Sequence, residues 1–337
     1  MTQDSTFQRP SLFIGGKEIF DKISGSISFS GNNQLNSLSV SISNPDLQHD
    51  SLFNHHIKLF LNHNDNVPIF RGYIKDVTPN KDGLSIRAVD VRTKISGKDG
   101  MKLTLTDSEN YDGYTLSQFL FSVLKDESII GVDMLKDTNP PIYLTGVRGS
   151  NLSVYEIVTS KIKESIDVET DFFHPLEHFI DVYEGANETH ITFKKDKLLS
   201  EAPLYYFSYT DGLKDYSFKR RLPPNTANYE GGQFKYTSRP TGQISLDIEK
   251  KESPAVTRNL ALQNILIQQQ ETDEISIEVT KDYDISIGSL VFLDVDDEDI
   301  KGNHRVKSKN ISFGNTMSCR IQLNKSPPAI TDYIQRE

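Results

Sequence analysis

The chain has 337 residues with a formal net charge of −10, and 36% of its residues are hydrophobic and 9% aromatic. This length and apolar content predict two or three domains with proper cores and argue against an intrinsically disordered chain. The acidic balance disfavours a protein that binds nucleic acid broadly, because such affinity comes mainly from clustered Lys and Arg.

Residues 1–105 are predicted to form a small antiparallel β-barrel module. Apolar and polar side chains alternate in residues 23–29 and again in residues 38–42, which is the period of a half-buried strand. Turns are predicted at residues 15–16, 31–33 and 44–46. Short strands at this spacing favour a barrel or a sandwich.

Residues 106–200 are predicted to form an α+β region. A first helix is expected after Thr115, because apolar residues follow helical spacing at Leu116, Phe119, Leu120, Val123 and Leu124. A second helix is predicted to open at residues 150–151, with one apolar face formed by Val154, Tyr155, Val158 and Ile162. Residues 179–183 and 190–193 predict a hairpin around a turn at residues 185–187.

A second β-barrel module is predicted from two separate stretches, residues 201–235 and 273–325. The later stretch alone has too few strands for a stable module, so strands from the earlier one are needed to complete it. Residues 236–272 are then an insertion that contains a strand and a helix, with Ser253 as N-cap and Pro254 at the first helical position. Residues 326–337 are predicted to be a C-terminal tail. The fold class is therefore mainly β (α+β), with two similar modules and an α+β region between them.

The prediction of two similar modules comes from a repeat at a distance of about 230 residues. In each copy a short apolar strand, a polar turn, a longer strand that opens near a glycine and a second turn lead into a final strand. The corresponding segments are 58–61 with 290–293, 70–77 with 301–306, and 84–89 with 317–323. Two similar modules in one chain allow three chains in a ring to present six similar modules.

One motif formally matches a metal site. His174, Glu177 and His178 follow the H-x-x-E-H pattern, in which two His on one helical face bind zinc beside a Glu general base. Pro175 and the strand-like spacing that follows leave no helix of useful length, so we expect a polar loop between strands and no metal. We predict no catalytic, cofactor-binding or metal residues, and no enzyme.

The other charged runs and the histidines are expected to have structural or surface roles. The acidic run at residues 294–299 lacks the Gly and Glu of a calcium loop and predicts a solvated hairpin turn. The basic triplet at residues 219–221 is expected to be a solvated face. A surface or interface role is expected for His49, His55, His56 and His63, which lack metal spacing.

The lone Cys319 lies in a strand-like alternation and is expected to be a small buried core residue. A chain without a Cys pair fits synthesis in a reducing compartment. No apolar run is long enough to span a membrane, and residues 1–5 lack the features of a signal peptide. We expect a protein that neither spans a membrane nor is exported by that route.

In residues 23–91, with the motifs at 44–46, 56–60 and 70–74, the sequence resembles the tail or baseplate hub proteins of tailed phages. These proteins are related to the N-terminal region of the VgrG spike proteins of type VI secretion. The segments 288–292 and 302–306 carry the same resemblance near the C-terminus.

The resemblance implies a homotrimer whose two modules per chain form a pseudo-sixfold ring, adapting a hexameric tail tube to a trimeric central spike. It also implies a virion protein that is made in the cytoplasm of the host bacterium, with tail tube, spike and other baseplate proteins as partners. Genomic DNA would pass through the ring without specific binding, and the acidic net charge fits such a passage.

Two alternatives stay open at this point. A carbohydrate-binding protein of the tail tip would usually show exposed aromatic platforms, and this chain has no Trp. A zinc-dependent hydrolase would have to use His174, Glu177 and His178, which is the one candidate metal motif.

Overall fold

A computed structural model gives the structure of the chain in two compact units. It describes residues 9–30, 35–44, 52–62, 65–96, 100–105, 111–127, 130–165, 167–168, 175–176, 178–198, 201–220, 226–229, 232–235, 245–248, 273–281, 283–297 and 300–325. The first unit comprises Met1–Ser165, His178–Lys195 and Ser308–Cys319, and the second comprises Ile166–Glu177, Asp196–Lys307 and Arg320–Glu337.

The first unit opens with an antiparallel sheet. Its strands are β1 (Ser11–Ile14), β2 (Lys17–Ile19), β3 (Ile23–Ser30), β4 (Ser37–Ile42), β5 (His56–Phe60), β6 (Phe70–Asn80) and β7 (Gly83–Asp90). The strand order is β3-β4-β7-β6-β5-β1-β2, and every neighbouring pair is antiparallel. Residues 308–313 add one more antiparallel strand beside β3. Among the described residues no pairing joins the two ends of this path, so closure into a barrel stays a prediction.

Alternation of apolar and polar residues builds the core of this sheet. In β4, Leu38, Val40 and Ile42 are buried while the serines between them face outward. The same alternation in neighbouring strands buries Ile27, Ile57, Leu59, Ile74, Ile86 and Ala88 in one cluster. One face of the sheet therefore packs in the core, and the other stays polar.

The long strands β6 (Phe70–Asn80) and β22 (Gly302–Phe313) each have a glycine near their start, and the two glycines are needed for different structural reasons. A Cβ at Gly72 in β6 would lie 2.0 Å from the carbonyl oxygen of Val89 in β7, so no larger residue fits there. Gly302 has nothing within 4 Å of a Cβ, but its φ of +130° is a conformation that other residues rarely adopt. Gly72 is thus required by a close contact and Gly302 by its backbone conformation.

The chain between the sheets is α+β, as predicted. Its elements are a 3-10 helix (Val91–Lys94), β8 (Lys102–Leu105), α1 (Leu116–Leu124), β9 (Ile130–Val132), β10 (Gly149–Ser153), α2 (Val154–Glu164), β11 (Asp167–Val168), β12 (Pro175–Leu176), β13 (His178–Glu184) and β14 (Thr189–Lys195). β13 and β14 form the predicted antiparallel hairpin, and β9 lies parallel to β14. β10 pairs with β8, whereas β11 and β12 pair with each other in the second unit.

Capping residues fix where both helices begin. Thr115 and Gln118 form a reciprocal capping box at α1, and the Ser153 hydroxyl accepts a hydrogen bond from the Glu156 amide at α2. The predicted start of the second helix at residues 150–151 is therefore wrong by about one turn. The apolar faces of the helices pack together with β13 and β14 in one core, which includes Phe119, Leu120, Val158, Ile180 and Ile191.

The second unit also contains a large sheet. Its elements and those that follow in the chain are β15 (Tyr205–Ser208), β16 (Leu213–Arg220), β17 (Thr226–Tyr229), β18 (Gly232–Lys235), β19 (Ser245–Ile248), β20 (Asp273–Val279), β21 (Leu290–Asp294), β22 (Gly302–Phe313) and β23 (Ser318–Lys325). The strand order is β16-β20-β23-β22-β21-β15. The chain passes into the first unit within β22 and leaves it within β23.

The strand orders of the two sheets correspond one to one. The equivalent strands are β3 and β16, β4 and β20, β7 and β23, β6 and β22, β5 and β21, and β1 and β15. One direction differs, because β1 is antiparallel to β5 whereas β15 is parallel to β21. The prediction of two similar β-modules, the second of them discontinuous, is confirmed in strand order.

The insertion into the second module starts earlier than residue 236. β17 and β18 do not join the large sheet; they form a separate three-stranded sheet in which β19 is parallel to β17. Among the described strands of residues 201–248, those that join the sheet of the second module are β15 and β16. The helix predicted after Ser253 lies outside the described residues.

Candidate functional site

Each module carries a fully buried arginine in its long middle strand. Arg71 in β6 is 0% exposed and Arg305 in β22 is 1% exposed. The cross-strand partner of Arg71 is Lys58, and that of Arg305 is Leu290. Lys58 and Leu290 are the first residues of the corresponding segments of the repeat. The two arginines therefore occupy equivalent positions in the two modules.

Arg71 binds the turn of the β13–β14 hairpin. Its Nη2 atom donates hydrogen bonds to the carbonyl oxygens of Gly185 and Ala186, each at 3.1 Å. Its Nη1 atom lies 3.6 Å from Oε2 of Glu184. Because a buried guanidinium is costly unless it is paired and hydrogen-bonded, these contacts make the turn part of the environment that stabilises the charge.

Glu184 is a carboxyl group with an unusual environment. Its side chain is 11% exposed, and the Thr189 hydroxyl donates a hydrogen bond of 2.7 Å to Oε2. Burial raises the pKa of Glu184 to about 7, although Thr189 and Arg71 both lower it. The charge of this group therefore changes near neutral pH.

Arg305 makes an analogous contact in the second unit. Its Nε atom donates a hydrogen bond to the carbonyl oxygen of Lys197. One residue before Lys197, Asp196 forms an ion pair of 3.0 Å with Lys307, which is also in β22. The long strand of each module thus uses a buried arginine to hold main-chain carbonyl groups of a segment that lies outside the module's sheet.

A second buried ion pair lies at the end of β7 and is hydrogen-bonded to β13 within the first unit. Asp90 and Arg92 are both 1% exposed, and Nη2 of Arg92 lies 2.6 Å from Oδ2 of Asp90. The Nη1 atom donates a 2.7 Å hydrogen bond to the carbonyl oxygen of Ile180. Burial lowers the pKa of Arg92, but Asp90 outweighs it and the net shift is upward. The hairpin is therefore held at both Ile180 and its turn.

Three exposed apolar or aromatic side chains of the second unit lie close together in sequence. Leu204, Tyr206 and Tyr209 are all exposed, and the ring of Tyr206 stacks on Phe292 with ring centroids 5.4 Å apart. The Tyr206 hydroxyl donates to Asp294. Exposed tyrosine and aliphatic surface of this kind is typical of interaction surfaces.

His178, the one residue of the candidate zinc motif that the structure describes, lies in a strand and not on a helix. His178 begins strand β13, is 2% exposed, and its Nε2 atom lies 3.3 Å from the carbonyl oxygen of Asn139. His174 and Glu177 lie outside the described residues. Within the described ranges, no group of three or more His, Cys, Asp or Glu residues is placed to hold a metal ion.

The histidines that are near one another in sequence have separate environments. His56 lies in β5, and its ring meets the edge of Tyr73 with centroids 4.7 Å apart. Burial lowers the pKa of His56, which favours the neutral form of the ring. His55 is exposed just before the strand, and His49 and His63 lie outside the described residues.

The described residues of the acidic run at 294–299 and of the basic run at 219–221 lie at strand ends and in a turn. Asp294 ends β21 and forms an ion pair of 2.9 Å with Lys301 across the turn, whereas Glu298 and Asp299 are not described. Lys219 and Arg220 lie at the end of β16. Neither run gathers the ligands of a calcium or phosphate site in these residues.

Cys319 is a buried residue, as predicted. It is 0% exposed, and burial raises the pKa of its thiol to about 11. In the described part of the chain, no helix combines the length and apolar character needed to cross a membrane.

Solved structures that are similar to this chain include phage tail proteins and a component of the type VI secretion system. The chain is similar to the tail protein from Neisseria meningitidis MC58, with 14% identity and a TM-score of 0.66 over 94% of this chain and 96% of that one. It is also similar to the 43 kDa tail protein of prophage MuSo2 from Shewanella oneidensis, with 14% identity and a TM-score of 0.66 over 95% and 99%. A third similar structure is an E. coli component of the type VI secretion system, with 10% identity, a TM-score of 0.57 and coverage of 94% and 76%.

No family model and no curated protein sequence matches the chain. The likeness to these solved structures is therefore one of fold, at 14% sequence identity or less. The resemblance predicted from the sequence is confirmed at the level of the fold.

Proposed function

We propose that the protein is a structural hub of a phage tail or baseplate. In this proposal three copies form a ring with pseudo-sixfold symmetry that joins the hexameric tail tube to a trimeric central spike and forms part of the DNA channel. The observation that carries the proposal is the same strand order in two modules of one chain. The likeness to phage tail proteins over at least 94% of the chain supports it.

Matching a sixfold tube to a threefold spike needs two modules that resemble each other but are covalently joined. A tube with six subunits and a spike with three cannot share identical contacts at every position. Three chains with two similar modules each offer six similar surfaces on the tube side. On the spike side they offer three identical ones. The repeating unit of the ring is β1 to β7 in one module and β15, β16 and β20 to β23 in the other.

This hub acts by binding other proteins and not by catalysis. Its partners are further copies of itself, the tail tube protein, the central spike protein and other baseplate proteins, in the virion. The exposed surface at Leu204, Tyr206 and Tyr209 offers the apolar and aromatic contacts that such assemblies use. Production in the host cytoplasm fits a single buried thiol.

A second candidate function is carbohydrate binding at the tail tip. It is favoured by the stacked pair of Tyr206 and Phe292, because aromatic faces bind sugar rings and Tyr206 is half-exposed. A glycan array separates the two candidates. If the protein binds carbohydrate, the array shows a specific glycan, and Tyr206→Ala should abolish this binding without changing the mass of the particle. If the protein is a hub, the array shows no specific glycan signal.

Electron microscopy of the purified protein, alone and mixed with the tail tube protein of the same phage, tests the hub proposal. We expect threefold rings with six similar lobes that stack on the end of the tube. Single chains under both conditions would contradict the proposal.

A further inference from the structure

The second half of β22 pairs with β3 within the first unit. The pairing is antiparallel, and its opposed residues are Lys309 and Phe29, Asn310 and Ser28, Ile311 and Ile27, Ser312 and Ser26, and Phe313 and Gly25. Ile311 and Ile27, at the centre, are both fully buried. We refer to this pairing as the internal seam.

Residues 75–79 of β6 are the equivalent of residues 309–313 of β22. The alignment that matches Arg71 with Arg305 needs no gap and sets Lys75 with Lys309, Asp76 with Asn310, Val77 with Ile311, Thr78 with Ser312 and Pro79 with Phe313. One side of β6 pairs with β7, and the other pairs with β5 up to residue 73 and with residues 54 and 55 at Ile74. Beyond Ile74 no described strand occupies that second side.

β16 is the equivalent of β3, and it is the edge of the second module's sheet among the described strands. The pairing of each strand with the next begins at an apolar pair, Ile23 with Ile42 and Leu213 with Val279. Counting opposed pairs from there matches Ser26 with Ser217 and Ile27 with Phe218. Phe218 is half-exposed where Ile27 is fully buried, and Val77 is half-exposed where Ile311 is fully buried. The exposure of these two side chains is what open edges would give.

The two edges have complementary side chains in the register of the internal seam. That register opposes Asp76 and Lys219, Val77 and Phe218, Thr78 and Ser217, and Pro79 and Tyr216. These are one pair of opposite charge, two apolar pairs and one pair of hydroxyl groups, all of which stabilise antiparallel strands. The complementary stretch is limited at both ends, because Pro79 donates no main-chain hydrogen bond and Lys75 would meet the like charge of Arg220.

We infer that residues 76–79 of one copy pair with residues 216–219 of a second copy, in the register of the internal seam; this inference rests on the proposed hub function. The internal seam and this intermolecular seam then alternate around the ring. Each module meets its neighbours through equivalent strands, which is what pseudo-sixfold symmetry requires. The pairing also covers two sheet edges that would otherwise invite uncontrolled association.

Engineered disulfides test the register of the intermolecular seam. Thr78→Cys with Ser217→Cys, and Asp76→Cys with Lys219→Cys, replace exposed residues at directly opposed positions. The Cα atoms of such a pair lie about 4.5–5.5 Å apart, which suits a disulfide. Asp76→Cys with Asp215→Cys is the matched control, because Asp215 is exposed on the same face of β16 as Lys219 but about 13 Å further along the strand.

Rings are assembled in reducing buffer, with the tail tube protein where it is needed, then oxidised with diamide and separated on a denaturing gel without reductant. We expect both in-register variants to give a covalent species of three chains, while the control stays a single chain. A mixture of Thr78→Cys chains and Ser217→Cys chains should give linked pairs, and neither chain should link alone. Native Cys319 is fully buried and stays in every variant.

Three results overturn the inference while the hub function stands. They are threefold rings in which neither in-register variant links, equal linking of the control, or linked pairs from one single-cysteine chain alone. The first result would leave these edges to another baseplate protein, and the last would indicate a symmetric contact between copies. A wild-type chain that forms no ring, alone or with its tube protein, overturns the hub function and this inference with it.

Discussion

Arg71 and Arg305 stand at the same register position in two modules of one chain, each fully buried in the long middle strand. Both donate hydrogen bonds to main-chain carbonyl groups of segments outside the sheet of their own module. A buried cation is costly unless its surroundings pair it. A buried arginine at this position in both modules indicates that they share more than a strand order. Each also uses the arginine to bind a neighbouring segment of the chain.

Replacing Arg71 should destabilise the protein strongly. Arg71→Leu removes two hydrogen bonds from a charged donor to the hairpin turn, each of which contributes about 1.5–3 kcal/mol, so we expect a loss of about 3–5 kcal/mol in the free energy of unfolding. Urea denaturation measures this loss. Arg87→Leu is the matched control, because Arg87 lies in the same sheet with a mostly exposed side chain, and it should change stability by less than about 0.5 kcal/mol. Similar losses in both variants would show that Arg71 has no special role.

Glu184 should make the protein less stable as the pH rises. Its pKa of about 7 in the folded chain exceeds the ordinary value of 4.5, so the folded state binds more protons than the unfolded state between these values. The contribution of Glu184 to the free energy of unfolding is therefore fully present below pH 4.5 and is lost as the pH rises through 7. The size of this loss is on the order of 3 kcal/mol. Unfolding of the wild type and of Glu184→Gln across pH 4–8 measures the difference.

The comparison with Glu184→Gln isolates this group from His56. Burial lowers the pKa of His56, so its contribution changes in the opposite direction below pH 6.5, but it is present in both proteins and cancels in the difference. A difference between the two proteins that does not vary with pH would contradict the assignment of the raised pKa to Glu184.

Cys319 should react with thiol reagents only when the protein unfolds. Its thiol is buried, and a pKa of about 11 leaves little thiolate at pH 8. We expect labelling of the native protein to be on the order of a hundredfold slower than in denaturing urea. Ser160→Cys provides an exposed thiol that labels rapidly in the folded chain and serves as the control. Rapid labelling of native Cys319 would show that the surrounding strands open readily.

Removal of divalent metal should not affect the protein. His178 is buried in a strand beside the Asn139 carbonyl group, which does not give it the helical presentation of a zinc ligand in the H-x-x-E-H motif. We expect zinc far below one ion per chain by elemental analysis, and the same Tm with and without EDTA. One zinc per chain together with a lower Tm after chelation would restore the hydrolase alternative. His178→Ala would then have to lose the metal.

Local patterns in the sequence predicted the elements with strong periodicity. The repeat of strand, turn and glycine-led strand gave the correspondence of β5, β6 and β7 with β21, β22 and β23, and the hairpin of β13 and β14 followed from alternation around a turn. These features depend on residues close in sequence. They are therefore visible without knowledge of the tertiary structure.

Features that depend on distant pairing could not be predicted in this way. The start of α2 was misplaced because residues 149–153 pair with β8, and that pairing has no local signal. The burial of Arg71 was also missed, since its hydrogen-bond acceptor in Gly185 is 114 residues away and a charged residue in a strand is ordinarily assigned to solvent. The small sheet of β17, β18 and β19 likewise depends on the parallel pairing of β17 with β19, which has no local signal in the sequence.

The mass of the purified particle tests the central claim most directly. Size-exclusion chromatography with light scattering, run with and without the tail tube protein, should give a particle of three chains, about three times the 38.1 kDa of one chain. The same measurement on the tube complex should give three copies for every six tube subunits in the adjoining layer. A particle of a single chain under both conditions, or a closed dimer, would contradict the trimeric hub.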